Sequence, residues 1–138
     1  MNKRLSIGLW TAQALLAAVF VATGGMKTLL APADLFRILP DLASLPLPFV
    51  RFLGVAELAA AAGLILPSLT RIAPFLTPLA ASGVIVVMVG ALVVHVRDGH
   101  FAKLPLVLIL GALACFVAWG RFTRLRIRPR TRRTAYVL

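Results

Sequence analysis

The chain has 138 residues, 61% of them apolar, and a mean hydropathy of +0.98. Soluble domains hold about 45–50% apolar residues, so one water-soluble domain of this length could not hide these side chains, and their long runs point to lipid as the solvent. Fifteen basic residues face four acids, for a net charge of +11. In a soluble protein that balance would suggest nucleic acid, but these bases stand at the ends of apolar runs, which sets nucleic acid aside and makes anionic lipid headgroups the expected partner.

The first apolar run, 5–26, follows Lys3 and Arg4. At about 1.5 Å per residue it is long enough to cross a bilayer. Val21-Ala22-Thr23-Gly24-Gly25 matches a signal cleavage site only loosely, so the run is expected to be retained as a span. The second run, 49–66, enters through Pro46 and Pro48, and 67–71 reads as a tight turn. The third covers 72–96, with Pro74 in its first turn and a kink expected at Pro78, whose ring removes a hydrogen bond. The fourth covers 104–120, with Pro105 in its first turn, where a missing N–H costs nothing.

The connection 31–47 is apolar and proline-rich, so it reads as a packed lid at the membrane surface. Asp34 is expected to cap a short helix carrying Leu35, Phe36, Ile38 and Leu39. The predicted fold is therefore all-α: a four-transmembrane-helix bundle over 1–122 with a short interfacial segment between helices 1 and 2, then a basic cytoplasmic tail over 123–138.

Orientation follows the bases. With the N terminus inside, ten lie inside: Lys3, Arg4, Arg71, Arg121, Arg124, Arg126, Arg128, Arg130, Arg132 and Arg133. Five lie outside: Lys27, Arg37, Arg51, Arg97 and Lys103, together with Asp34, Asp41 and Asp98. Both termini are expected in the cytoplasm, with Trp10 and Trp119 near the inner interface.

Glu57 is the one acid that no loop can claim. An ionised, unpaired carboxylate mid-span costs about 2.5–3.5 kcal/mol on the insertion scale, so it must pair, be neutral or face the bundle. It shares its face with Gly54 and Ala61, where another helix can pack closely. A structural hydrogen bond between helices and a functional role both fit this placement.

Lys27 is the proposed partner; it ends a one-faced stripe of Gln13, Ala17, Phe20, Gly24 and Lys27, although a lysine near a span end can also simply snorkel. His95, on a face with Met88 and Ala91, completes a candidate acid–base cluster of Lys27, Glu57 and His95. Arg51 is a further candidate off the Glu57 face, and His100 reads as a solvated turn residue.

No metal is expected, because no second histidine has ligand spacing on a span. No glycine-rich phosphate loop or hydrolase triad occurs. Cys115, the single cysteine, reads as a small core residue. In the tail, Arg124, Arg126, Arg128, Arg130, Arg132 and Arg133 form a candidate headgroup-binding segment, worth about 1 kcal/mol per base near an anionic surface. A plain role in setting topology fits them equally.

Several ordered blocks resemble one family. They are 15–17 through Gly25-Met26-Lys27, Arg51-Phe52-Leu53-Gly54-Val55-Ala56-Glu57-Leu58 on to Pro67, 76–81 through Met88 to His95, and Val117-Ala118-Trp119-Gly120-Arg121. Together they resemble the DoxX-like family of small four-helix membrane proteins. The resemblance implies a bundle in a bacterial inner membrane, with Lys27, Glu57, His95 and the Gly120–Arg121 pair at motif positions. Relatives are named variously for a thiosulfate:quinone oxidoreductase, redox-stress complexes and assembly of partner membrane proteins, so no single activity is implied. Three functions are carried forward. The first is an accessory or scaffold subunit acting through helix contacts with a membrane partner or a second copy. The second is a quinone- or lipid-binding subunit of an oxidoreductase. The third is an oligomeric small-molecule or proton transporter.

Overall fold

The structure is a computed structural model that describes residues 2–131; Arg132 and Arg133 lie outside the described residues. Every regular element among those residues is helical: α1 (Lys3–Leu29), α2 (Pro32–Ile38), α3 (Leu47–Thr70), α4 (Leu76–Arg97) and α5 (Leu104–Trp119). Short 3₁₀ turns at Pro40–Ser44 and Phe101–Lys103 and a π-helical turn at Gly120–Arg124 complete the chain order. Four helical stretches, α1, α3, α4 and Phe101–Arg124, are long and apolar enough to cross a membrane. They alternate in direction, so α2 and the Phe101 turn sit at one end, here the lid end. Lys3 and Arg124 sit at the other, the terminal end.

Local sequence explains the boundaries and corrects four expectations. The 67–71 segment is not a tight turn, because α3 runs on to Thr70 with Pro67 inside it. Pro67 has no N–H to give the preceding turn, and bundles tolerate this when side chains from neighbouring helices satisfy the freed carbonyls. The carbonyl that Pro67 leaves without its helical donor is that of Gly63, and in the same turn Gln13 of α1 donates through Nε2 to the neighbouring Leu64 carbonyl at 2.5 Å.

α4 begins at Leu76, later than expected, so Pro74 precedes it and Pro78 is its third residue. No kink is needed there, since a first-turn N–H has no intrahelical acceptor. Asp34 is not the cap of α2. Ala31 holds that position with Pro32 first in the helix, and Asp34 lies one turn in, paired with Arg37 at 3.1 Å. Cys115 is exposed on the outward side of α5, next to the buried Ala114.

The turn from α3 to α4 requires left-handed backbone at two non-glycine residues, Arg71 (φ 59°) and Ala73 (φ 46°). Such residues cost on the order of 1–3 kcal/mol and persist where the surroundings hold them. The chain beyond α5 supplies that hold. The Arg130 N–H donates to the Arg71 carbonyl at 3.0 Å, and Arg71 Nε donates to the Arg128 carbonyl at 3.2 Å.

The core runs along the bundle axis through Leu16, Phe20, Leu64, Val84, Ala114 and Val117. α1 and α3 form the closest pair. A Cβ on Gly24 would lie 2.8 Å from the Gly54 carbonyl oxygen, and one on Gly54 would lie 2.7 Å from Lys27 Cβ. In lipid, where apolar contact with a tail is as good as with a neighbour, this close approach and interhelical hydrogen bonds drive association. α4 is the least enclosed span, with only 17% of its apolar window buried, so most of it faces outward from the bundle.

Candidate functional site

Two polar clusters lie inside the bundle. The first, toward the lid end, is centred on Glu57, which is 6% exposed. The Gly24–Gly54 contact brings α1 near enough for Lys27 Nζ to pair with Glu57 Oε1. The Thr23 hydroxyl, one turn earlier, donates to Glu57 Oε2 at 2.8 Å. That hydroxyl also lies 3.0 Å from the Val19 carbonyl of its own helix. Both carboxylate oxygens are thus occupied by groups from α1.

Arg51 stands beside the pair rather than in it. Nη1 donates to the Lys27 carbonyl at 2.7 Å and Nη2 to the Leu30 carbonyl at 2.6 Å. These carbonyls belong to the C-terminal turn of α1, where the unsatisfied acceptors and the negative end of the helix dipole favour a cation. Arg51 therefore fixes the end of the helix that presents Lys27.

His95 does not join Glu57. Its ring lies edge-to-face on His100, centroids 6.0 Å apart, and Nδ1 of each is buried without a hydrogen-bond partner. The His100 N–H donates to the His95 carbonyl at 2.8 Å, so the turn after α4 places the rings together. His100 is accordingly half-buried rather than solvated. Beside them Asp98 accepts from Arg97 Nε at 2.7 Å and from the Ser44 hydroxyl at 3.0 Å. These hydrogen bonds, Arg97 first and Ser44 second, hold the Asp98 carboxyl below its ordinary pKa of 3.8. Ser44–Asp98 and the 3.5 Å Asp41–Lys103 pair tie the lid to the α4–α5 turn.

The second cluster, toward the terminal end, joins all four spans. Gln13 is wholly buried; its Nε2 also lies 3.3 Å from the Ser68 hydroxyl, which is 2.7 Å from the Thr77 hydroxyl of α4. Gln13 Oε1 accepts from Arg121 Nε at 2.7 Å. Arg121 is 5% exposed, with its guanidinium carbon 5.2 Å from the Trp10 ring centroid. Gly120 makes this reach possible, since a Cβ there would overlap Leu9 Cδ2. Arg124 lies over Trp119 at 5.6 Å.

Sequence reasoning named Gln13 and Arg121 but did not join them, and it passed over Ser68 and Thr77. The available signal was polarity in the wrong place. Gln13 interrupts an apolar run, and Ser68 follows a proline that frees carbonyls for side chains to satisfy.

Outside these clusters, an apolar groove of about 430 Å³ runs between α3 and α4, lined by Ala56, Ala59, Ala60, Gly63, Ala80 and Gly83 among others.

Four membrane-spanning helices, a surface lid and a Lys–Glu pair between the first two spans define a small multi-pass membrane protein. The sequence pattern of the DoxX-like family matches residues 11–117, and the chain belongs to that family. The match takes in Gln13, Lys27, Glu57 and His95 and stops short of Arg121. Searches of curated proteins and of solved structures returned no match.

Proposed function

We propose that this chain is an accessory subunit of the bacterial inner membrane, with both termini cytoplasmic, which acts by packing its helices against a partner membrane protein. The observation that carries this reading is that the charged centre is closed on itself. Glu57 is taken up by Lys27 and Thr23, and Arg51 by carbonyls of α1. Groups committed in this way hold helices together. A proton-handling or ligand-binding centre would instead keep a donor or acceptor open toward its substrate.

The outward side of α4 supports the same reading. Its small residues allow close approach of another helix. The tail arginines then serve as a surface anchor on anionic lipid.

The test is purification from native membranes, paired with a variant that alters only the outward surface. Gly83 has nothing within 4 Å of the position a Cβ would take, so Gly83→Leu is compatible with the bundle while filling the groove. A membrane protein that copurifies one-to-one and is lost with Gly83→Leu is the expected result. An equimolar quinone in the organic extract, with no protein partner, would replace this reading by that of a quinone-binding subunit.

A further inference from the structure

Arg121 carries a positive charge that no acid among the described residues reaches. A guanidinium offers five N–H donors and stays charged at any physiological pH. In Arg121, Nε meets Gln13 Oε1, Nη1 reaches only the Leu125 carbonyl at a long 3.4 Å, and Nη2 is buried with no acceptor. Both acceptors are neutral.

The whole sequence contains four acids. Asp34, Asp41 and Asp98 are at the lid end, and Glu57 is held by Lys27 in the lid-end half. The other charged residues described at the terminal end are Lys3, Arg4, Arg71, Arg124, Arg126, Arg128 and Arg130, all cations. The Trp10 face offers partial relief, but a buried ion needs an opposite charge with matching hydrogen bonds.

We propose that Arg121 is the base of a single binding site for a phosphate-type oxyanion, brought either by an anionic phospholipid headgroup or as free phosphate. The Nη1–Nη2 edge of a guanidinium matches two oxygens of a phosphate. The Leu125 carbonyl, on the longest of the Arg121 contacts, is the group that the incoming oxygen displaces. It belongs to the segment that returns to Arg71, so the site opens when that segment lifts. The π-helical turn and the Leu9–Gly120 contact set the guanidinium at this depth, and π turns recur at functional sites. The site is distinct from the surface attraction of the tail: it is buried, takes one anion per chain, and depends on one side chain. It also stands independently of any protein partner.

The experiment uses the full-length chain in a neutral detergent after lipid stripping. Thermal stability is followed with phosphatidylglycerol, phosphatidylcholine or inorganic phosphate, and retained lipid is counted by native mass spectrometry. One tightly held phosphatidylglycerol per chain, not exchanged by phosphatidylcholine, identifies the headgroup as the source. Equal stabilisation by inorganic phosphate identifies a soluble anion.

Arg121→Gln should weaken binding by about tenfold or more. The triple change Arg126→Gln, Arg128→Gln, Arg130→Gln should leave the tight site and remove only the salt-sensitive component. If Arg121→Gln does not fold, Arg121→Lys, which keeps the charge but not the fork, should still bind more weakly than wild type. The proposal is overturned by any of three results: no preference among the three additives in wild type, wild-type retention in whichever Arg121 variant folds, or loss of the tight site in the triple variant.

Discussion

Replacing Lys27 by Met strands the Glu57 carboxylate at 6% exposure with only the Thr23 hydroxyl for support. Removing one partner of a buried pair costs about 3–5 kcal/mol, because the remaining charge has neither water nor counter-ion. Glu57→Leu is less one-sided. Lys27, 12% exposed and one turn from the end of α1, has a stem long enough to carry its ammonium toward the interface. Its cost is dominated by the lost charged hydrogen bonds, at about 1.5–3 kcal/mol each, less what snorkelling recovers. Glu57→Gln keeps an acceptor for Thr23 and should fall between wild type and Glu57→Leu. The Lys27→Met, Glu57→Leu double variant removes both charges, so it should be more stable than the sum of the single changes by about 1–3 kcal/mol. The assay is reversible unfolding in mixed micelles, with Asp34→Ala as reference. That change breaks the exposed Asp34–Arg37 pair, which is worth at most about 1 kcal/mol. Glu57→Leu behaving like Asp34→Ala, or strict additivity in the double variant, would refute the pairing argument.

Adjacent glycines in α1 give an internal comparison in the same assay. Gly24→Ala sets a Cβ 2.8 Å from the Gly54 carbonyl and should lose about 1–3 kcal/mol, whereas Gly25→Ala meets nothing and should gain up to about 1 kcal/mol of helix propensity. Gln13→Leu removes the side-chain donor to the Leu64 carbonyl and leaves Arg121 Nε without its acceptor, and should cost about 2–4 kcal/mol, read as a drop in unfolding midpoint. The Asp98 carboxyl lies below its ordinary value, so its contribution is complete above pH 3.8 and is lost as pH falls through the lower folded value. Amide exchange at Pro40–Ser44 should therefore accelerate only in strong acid in wild type, and at every pH in Asp98→Asn. Reporter fusions after Thr131 and at Ser44 should give opposite signals, and matching signals would refute the four-span topology.

The four spans were legible because apolar length is a one-dimensional property. The shared face of Gln13, Ala17, Phe20 and Gly24 was legible because 3.6-residue periodicity survives in lipid. What periodicity cannot reveal is which faces meet. His95 and Glu57 both lie on spans, but His95 finds its partner five residues on, at His100, through the backbone turn that follows α4. Proline positions misled for a related reason. Pro67 and Pro78 look alike in sequence, and only the tertiary setting separates them. α3 continues through Pro67, in a turn that Gln13 braces from α1 at the Leu64 carbonyl, while the strapped Arg71–Ala73 turn delays α4 until Pro78 is harmless. Cys115 sits one residue from the buried Ala114, and a single residue rotates a helix position by about 100°.

Charge divides the two ends of the bundle by pairing as well as by number. At the lid end five bases meet four acids, and each acid has its own basic partner: Arg37 for Asp34, Lys103 for Asp41, Lys27 for Glu57 and Arg97 for Asp98. Arg51, the fifth base, is spent on helix-end carbonyls. That end is nearly neutral and its charges are satisfied within the chain. At the terminal end eight bases meet no acidic side chain among the described residues. An end that settles its own charges can be carried across a membrane at little cost, whereas uncompensated bases resist transfer and favour an anionic leaflet. The same imbalance that would hold the terminal end in the cytoplasm leaves Arg121 without a counter-ion. The proposed orientation and the proposed anion site therefore rest on one imbalance: a carboxylate placed beside Arg121 should weaken the need for an external phosphate and also reduce the excess positive charge of the terminal end.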